Sequence, residues 1–475
     1  MVAVPALQPK TAVSARGHGG GGPAATDLRA YYVVPGADAL TGAFARRSPV
    51  MPWRSSRPVG PDEVAQLTRA LLASPRRQRS VAYVHIPYCH NHCLFCGFYQ
   101  NPWSADVSTG FVDTLIAEIA AAARHRLVGE GPAIEAVYLG GGTPTALAAE
   151  DIARLIGALR SLLPLAADCE VTLEGRLHDF DRAKAQAAVA AGVNRISLGI
   201  QSFDSTVRRR LGRKASREEA IARLVDLAAL AAPDPVALVI DLMYGLPGQD
   251  AECWARDVET VAGLPLDGLD VYALSVWPNG PLAQAIAGGK ALPLPPLADQ
   301  ARAYAHAGCA LRERGWRQIS HAHYARTNLE RNVYNRAVKE DTTCLAFGPG
   351  AGGQADGLRW RNTADLGVWR ARVAEGVPTM ADLARSGERH RAEALVVGGL
   401  EAGRLDCSRV EVCVPGFRAS AAGLLANWCA AGLTELEGDS LSLTAAGRFW
   451  MTTLTAGLHA ALDQAAAAAS AAATS

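Results

Sequence analysis

From Val81 to Ser275 short apolar runs alternate with longer stretches of helical periodicity, and this rhythm limits the fold to a few possibilities. Strands are predicted over Val81–Ile86, Ile134–Leu139, Glu170–Leu173, Arg195–Ile200, Val236–Met243 and Gly268–Ser275. Helices are predicted between them over Phe111–Arg126, Asp151–Leu163, Asp181–Ala191, Arg217–Leu230 and Asp250–Val261. Parallel strands need a crossover between them, and a helix is the usual one, so the pattern predicts an α/β fold with a parallel sheet. Six strand–helix units predict an open, partial (β/α)6 barrel rather than a closed eight-stranded one. Ligands of such sheets sit at the carboxyl ends of the strands.

The flanks divide the chain further. Residues 1–25 are rich in Gly, Ala and Pro and are expected to be disordered, with 26–79 as an N-terminal extension. Residues 80–290 form the expected barrel and 291–388 a less regular second region, with a helix over Leu297–Arg314 and a glycine run at Gly348–Gly353. Residues 389–462 read as a small helical module in which Leu441–Leu443 and Thr444–Trp450 form a wing and a helix. That pattern resembles a winged helix. Residues 463–475 are a low-complexity Ala/Ser tail.

Forty-seven basic residues against 46 acidic ones argue for no general attraction to nucleic acid or anionic membrane. No apolar run reaches the roughly 18 residues of a membrane span, and Pro5, Pro9 and Lys10 break any signal-peptide core. Ten cysteines without an export signal point to a reducing cytoplasm rather than to a disulfide framework.

Cys89, Cys93 and Cys96 follow the first strand with the spacing C-x3-C-x2-C. Three thiolates can belong to a tetrahedral zinc site, with His90 or His92 as fourth ligand. They can equally hold a 4Fe–4S cluster, which ordinarily takes four thiolates, so that one iron stays open to another ligand. The spacing alone leaves both readings open.

More polar residues gather at the other predicted strand ends. Gly140-Gly-Gly-Thr-Pro-Thr145 follows the second strand, where glycines allow close backbone approach. Glu174 ends the third strand, Gln201 the fourth, and Asp241 interrupts the apolar fifth. A carboxylate among Val, Ile and Leu is costly without a partner. The partner is either a core hydrogen bond or a ligand; a carboxylate suits ribose hydroxyls, and Arg213 suits a carboxylate.

Taken together, Tyr83–Cys89, Gly140–Thr145, Arg195–Phe203, Leu211–Arg213 and Asp241–Gln249 resemble the oxygen-independent coproporphyrinogen III oxidase-like branch of the radical SAM enzymes. The resemblance runs from about residue 80 to 450. It implies a 4Fe–4S cluster on Cys89, Cys93 and Cys96 and two molecules of S-adenosyl-L-methionine (SAM) per chain. It implies Tyr83, Gly141 and Glu174 against one SAM, and Phe95, Gly142, Thr143, Gln201, Arg213, Asp241 and Ala273 against the other.

Within that branch the oxidases carry a further Cys where this chain has Phe98, and the heme chaperones an Asp where it has Gly97. Arg47–Trp53, Cys96–Asn101 and His323–Asn335 are instead similar to the anaerobic heme-degrading methyltransferases, the anaerobilin synthases. The implied reaction opens heme to a methylated linear tetrapyrrole and releases iron, with electrons from a flavodoxin or an NAD(P)H-linked reductase. A coproporphyrinogen III dehydrogenase and a non-catalytic heme chaperone are the alternatives. His321 and His323 offer themselves as iron ligands, and Arg326, Arg331 and Arg336 as propionate partners, although for each a structural or surface role is the plainer reading. No side chain is assigned to acid–base catalysis.

Overall fold

The structure is a computed structural model and describes residues 27–50, 54–231 and 236–474. The expected disorder of residues 1–25 and the end of the Arg47–Trp53 stretch lie outside the described residues. The chain forms two compact units. The first holds Ser56–Val338 and Thr342–Ser386; the second is built from the flanking segments and Lys339–Asp341.

All six predicted strands form: β1 (Ser80–Ile86), β2 (Ile134–Gly141), β3 (Leu165–Gly175), β4 (Arg195–Gln201), β5 (Ala237–Tyr244) and β6 (Gly268–Ala273). They lie side by side in chain order and every adjacent pair is parallel. All eight residues of β5 are buried, which is why its sequence is a nearly unbroken apolar run. The covering helices bury one stripe each. In α1 (Ala149–Leu162), Ile152, Leu155, Ile156 and Leu159 face inward at helical spacing. Asp181 caps the helix Arg182–Ala191 through Lys184 N, and Gly192 ends it in the left-handed region at φ 111°.

The sheet is larger than a six-stranded barrel. Thr343–Phe347 adds a parallel strand outside β1, and Gly352–Ala355, Leu358–Asn362 and Met380–Arg385 extend it antiparallel. On the other edge His323–Ala325 pairs antiparallel with β6. The region after 290 thus lengthens both edges of one thirteen-stranded sheet.

The second unit packs the helices His390–Ala402, Phe417–Ala430 and Met451–Thr474 with a three-stranded sheet, Arg404–Asp406, Ser440–Leu443 and Thr434–Glu437. Its core holds the fully buried rings of Phe417, Trp428, Phe449 and Trp450. Trp428 Nε1 donates to Tyr31 O at 2.8 Å and Trp450 Nε1 to Ala39 O at 3.0 Å, so the segment after residue 26 belongs to this unit. No helix among the described residues is long and apolar enough to cross a membrane.

Candidate active site at the carboxyl ends of the parallel strands

The cysteine loop leaves β1 at Ile86 and is tied down at both ends. Tyr88–Cys89 pairs with Asn101–Pro102, Asn101 N donates to Pro87 O at 3.1 Å and Trp103 N to Cys89 O at 3.0 Å. Cys89 and Cys93 are buried and Cys96 is partly exposed. Each sulfur is reached by a donor from a different element. Thr143 Oγ1, after β2, reaches Cys89 Sγ at 3.3 Å; Arg176 Nη2, after β3, reaches Cys93 Sγ at 2.8 Å; Phe98 N, in the loop itself, reaches Cys96 Sγ at 3.3 Å. Burial pushes the Cys89 and Cys96 thiols up, and the neighbouring cysteines add to it, so the three sulfurs lie within electrostatic reach of each other.

The two imidazoles that zinc would need have other partners. His90 Nε2 lies 3.1 Å from Asp179 Oδ1. His92 Nε2 bonds Cys96 O at 3.0 Å, and its ring stacks on Tyr99 at 4.5 Å. Among the described residues no three His, Cys, Asp or Glu side chains converge as a single metal ion requires. A four-iron cube makes no such demand, because each thiolate binds a different iron. Three thiols, each with a hydrogen-bond donor of its own, fit that group.

Beside the loop, polar residues gather at the strand ends. Gly141 adopts φ 109°, and a Cβ there would meet the His85 ring at 2.5 Å. A Cβ on Gly142 would meet the Tyr88 backbone at 2.4 Å, so only glycines fit. Tyr83 Oη bonds His85 Nδ1 at 2.9 Å, and burial holds that imidazole neutral, with a pKa lowered to about 4. Glu174 stands against Gly140, where a Cβ would be 2.7 Å from its Oε2. Its carboxyl is pushed up to about 8, by burial first and then by Asp241. Asp241 is itself raised by burial, with Arg195 and Arg213 drawing it back down.

A β-bulge between Gly199 and Gln201 places Gln201 at φ 67° and turns its side chain. A Cβ on Gly199 would lie 2.8 Å from Gln201 Nε2 and 3.4 Å from Arg213 Nη2, and Gly199 is itself the register partner of Asp241. Gln201, Arg213 and Asp241 therefore meet at one point. The Arg213 guanidinium lies 5.8 Å from the centre of the Phe95 ring, and Ala273 ends β6 one strand further on. Gln201 Oε1 and Arg213 Nε are buried without a hydrogen-bond partner. Such atoms are rare unless a ligand completes them. A ligand with amino, carboxylate and ribose groups has the complementary chemistry, so the residues present fit SAM.

The histidines and two of the arginines offered as heme contacts are engaged by the protein. His323 is 3% exposed and bonded to Ser320 Oγ and to Tyr272 Oη at 3.1 Å. His321 stacks on Tyr304 at 5.4 Å. Arg326 bonds Leu264 O at 2.6 Å and Arg331 pairs with Asp168 at 2.9 Å, both near the amino ends of strands. Between His323 and Asn335, Glu330 bonds Arg195 at the amino end of the sheet, and Tyr334 stacks at 4.8 Å on Tyr138, in the middle of β2. Arg176, bound to Cys93 and through Nη1 to Asn91 Oδ1 at 2.8 Å, escaped the sequence reading. Its only signal was a lone cation two residues past Glu174.

Residues 83–261 match the radical SAM superfamily. Anaerobilin synthase of Escherichia coli O157:H7 is 39% identical over 437 residues, which is 91% of this chain and 95% of that protein. The oxygen-independent coproporphyrinogen III oxidase of Bradyrhizobium diazoefficiens is 28% identical over 87% of this chain and 95% of its own. The solved structure of coproporphyrinogen III oxidase from Escherichia coli, a radical SAM enzyme, is similar with a TM-score of 0.71 at 25% identity, covering 86% of this chain and 96% of that one.

Proposed function

The chain belongs to the radical SAM superfamily, in the coproporphyrinogen III oxidase-like branch that includes anaerobilin synthase, and from that premise we propose that it opens the porphyrin ring of heme without oxygen. The product is a methylated linear tetrapyrrole, and iron is released. The observation that carries the reading is the 39% identity to anaerobilin synthase through 91% of the chain. Phe98, where the oxidases have a further cysteine, supports it.

When bound, the cluster supplies the electron, and SAM the carbon radical and the methyl group, that such a reaction consumes. In this reading Cys89, Cys93 and Cys96 hold the cluster, and the donors Thr143, Arg176 and Phe98 N stabilise their thiolates, a recognised control on cluster potential. Tyr83, Gly141 and Glu174 contact one SAM. Phe95, Gly142, Thr143, Gln201, Arg213, Asp241 and Ala273 contact a second. The buried, unpartnered atoms of Gln201 and Arg213 support this assignment. A flavodoxin or NAD(P)H-linked reductase in the cytoplasm would deliver the electrons.

The test is a reaction of reconstituted protein with heme, a strong reductant and SAM deuterated in its methyl group. Mass spectrometry should find an open-chain tetrapyrrole carrying the label. The similarity to a coproporphyrinogen III oxidase structure makes oxidative decarboxylation of coproporphyrinogen the second reading. A closed, decarboxylated macrocycle from that substrate would replace the first reading with the second, and heme returned intact with SAM cleaved would leave a chaperone.

A further inference from the structure

Trp277 lies four residues beyond the end of β6, on the same side of the sheet as the cysteine loop. Its residue is 40% exposed, and its backbone is held stiffly. Trp277-Pro278-Asn279-Gly280 is a tight turn closed by Gly280 N donating to Trp277 O at 3.0 Å, with Asn279 at φ 65°. Proline second and a positive φ third are the marks of a type II turn. Gln284 Nε2 fastens the turn further by donating to Asn279 O at 2.9 Å.

The segment before the turn is packed onto the cysteine loop. Leu274 and Val276 share an apolar cluster with Leu94 and Phe95. The indole itself rests on the residue after Cys96: a Cβ on Gly97 would stand 2.5 Å from Trp277 Nε1 and 2.9 Å from Cδ1. An aspartate at position 97 would push the ring away. Part of a rigid aromatic side chain is thus left in water at the edge of the cluster loop, on a turn that allows it little movement. Leaving such surface open costs hydrophobic free energy that a flat apolar ligand would recover.

We infer that Trp277 is a stacking face for the tetrapyrrole substrate and that Gly97 is small in order to seat it. The inference rests on the proposed function, because a flat macrocycle must come close to the cysteine loop for that reaction. It also gives Gly97 a role in choosing the substrate.

Anaerobically reconstituted protein without reductant is titrated with heme and followed by the Soret band and by tryptophan fluorescence. Trp277→Ala should weaken heme binding about tenfold, the size of one lost aromatic contact plus its burial. Trp277→Phe should recover most of the affinity. Gly97→Ala, which keeps the indole but displaces it, should also weaken binding at unchanged iron content. SAM affinity, measured by equilibrium dialysis, should be the same in all four proteins. Unchanged heme affinity in Trp277→Ala overturns the inference and leaves the function standing. A loss of SAM affinity instead of heme affinity assigns the ring to SAM and also overturns it. A wild-type protein that binds no heme sinks the functional reading, and this one with it.

Discussion

At the amino end of the sheet Arg195 on β4 meets Glu330 through two hydrogen bonds, of 2.9 and 3.1 Å, with both side chains 1% exposed. Asp270, 3.9 Å from the same guanidinium and the register partner of Asp241, carries the network inward to Tyr272 and His323. At the carboxyl end Gln201, Arg213, Asp241 and Glu174 are just as costly to bury, yet Gln201 Oε1 and Arg213 Nε have no partner. Both ends hold charge in a low-dielectric setting. Arg195 and Glu330 satisfy each other, which gives structure; Gln201 and Arg213 keep directed polar atoms unsatisfied near the cysteine loop, which suits a ligand.

The comparison breaks most readily at the cysteines. Replacing Cys89, Cys93 or Cys96 by Ala should abolish SAM cleavage, while the wild-type protein binds about four irons and four sulfides. Metal analysis of protein purified without oxygen that found one zinc and no labile sulfide would end the reading of the whole carboxyl end.

A pair of substitutions then sets one end against the other. Glu330→Ala strands the Arg195 charge and should cost about 3–5 kcal/mol in a denaturant melt, leaving SAM affinity of the folded protein unchanged. Asp241→Ala should do the reverse. It should lower SAM affinity roughly tenfold to a hundredfold, equivalent to about 1.5–3 kcal/mol, with little change in stability. A large stability loss at Asp241 with full SAM affinity would make both ends structural.

The sequence displays the carboxyl end better than the amino end, for physical reasons. Strands buried on both faces must be continuous apolar runs, so β1 to β6 stand out and a lone Asp241 within one of them is conspicuous. The cysteine loop is local, and its spacing is visible without a fold. Arg195 and Glu330 are 135 residues apart, and either alone reads as an ordinary surface charge. The parallel strand Thr343–Phe347 is five residues long and joins β1 from more than half the chain away, so nothing local announces it. The segment His323–Asn335 was legible as a family resemblance, but its chemistry was not. Its histidine and glutamate turn inward as packing and ion-pair groups. Arg176 is hidden likewise: its partner Cys93 lies 83 residues earlier and meets it only because β3 ends beside the loop.

The smallest effect expected is a pH slope at Glu174. Burial first and the Asp241 charge second raise its carboxyl to about 8, with hydrogen bonds from Tyr138 and the Gly141 N–H acting the other way. The folded SAM-free protein therefore favours the protonated form. That contribution to stability is fully present below the ordinary glutamate range near 4.3 and is lost as pH rises through about 8. Stability of the unliganded protein should thus decline between about pH 5 and 8, and Glu174→Gln should flatten the decline. SAM carries positive charge on its sulfonium and amino groups, so it should bind more tightly as Glu174 ionises, and the variant should lose part of that rise. Titrations of SAM binding at several pH values on both proteins decide it. If the two respond to pH alike, Glu174 does not face the ligand, and its raised carboxyl belongs with the buried charges of the amino end.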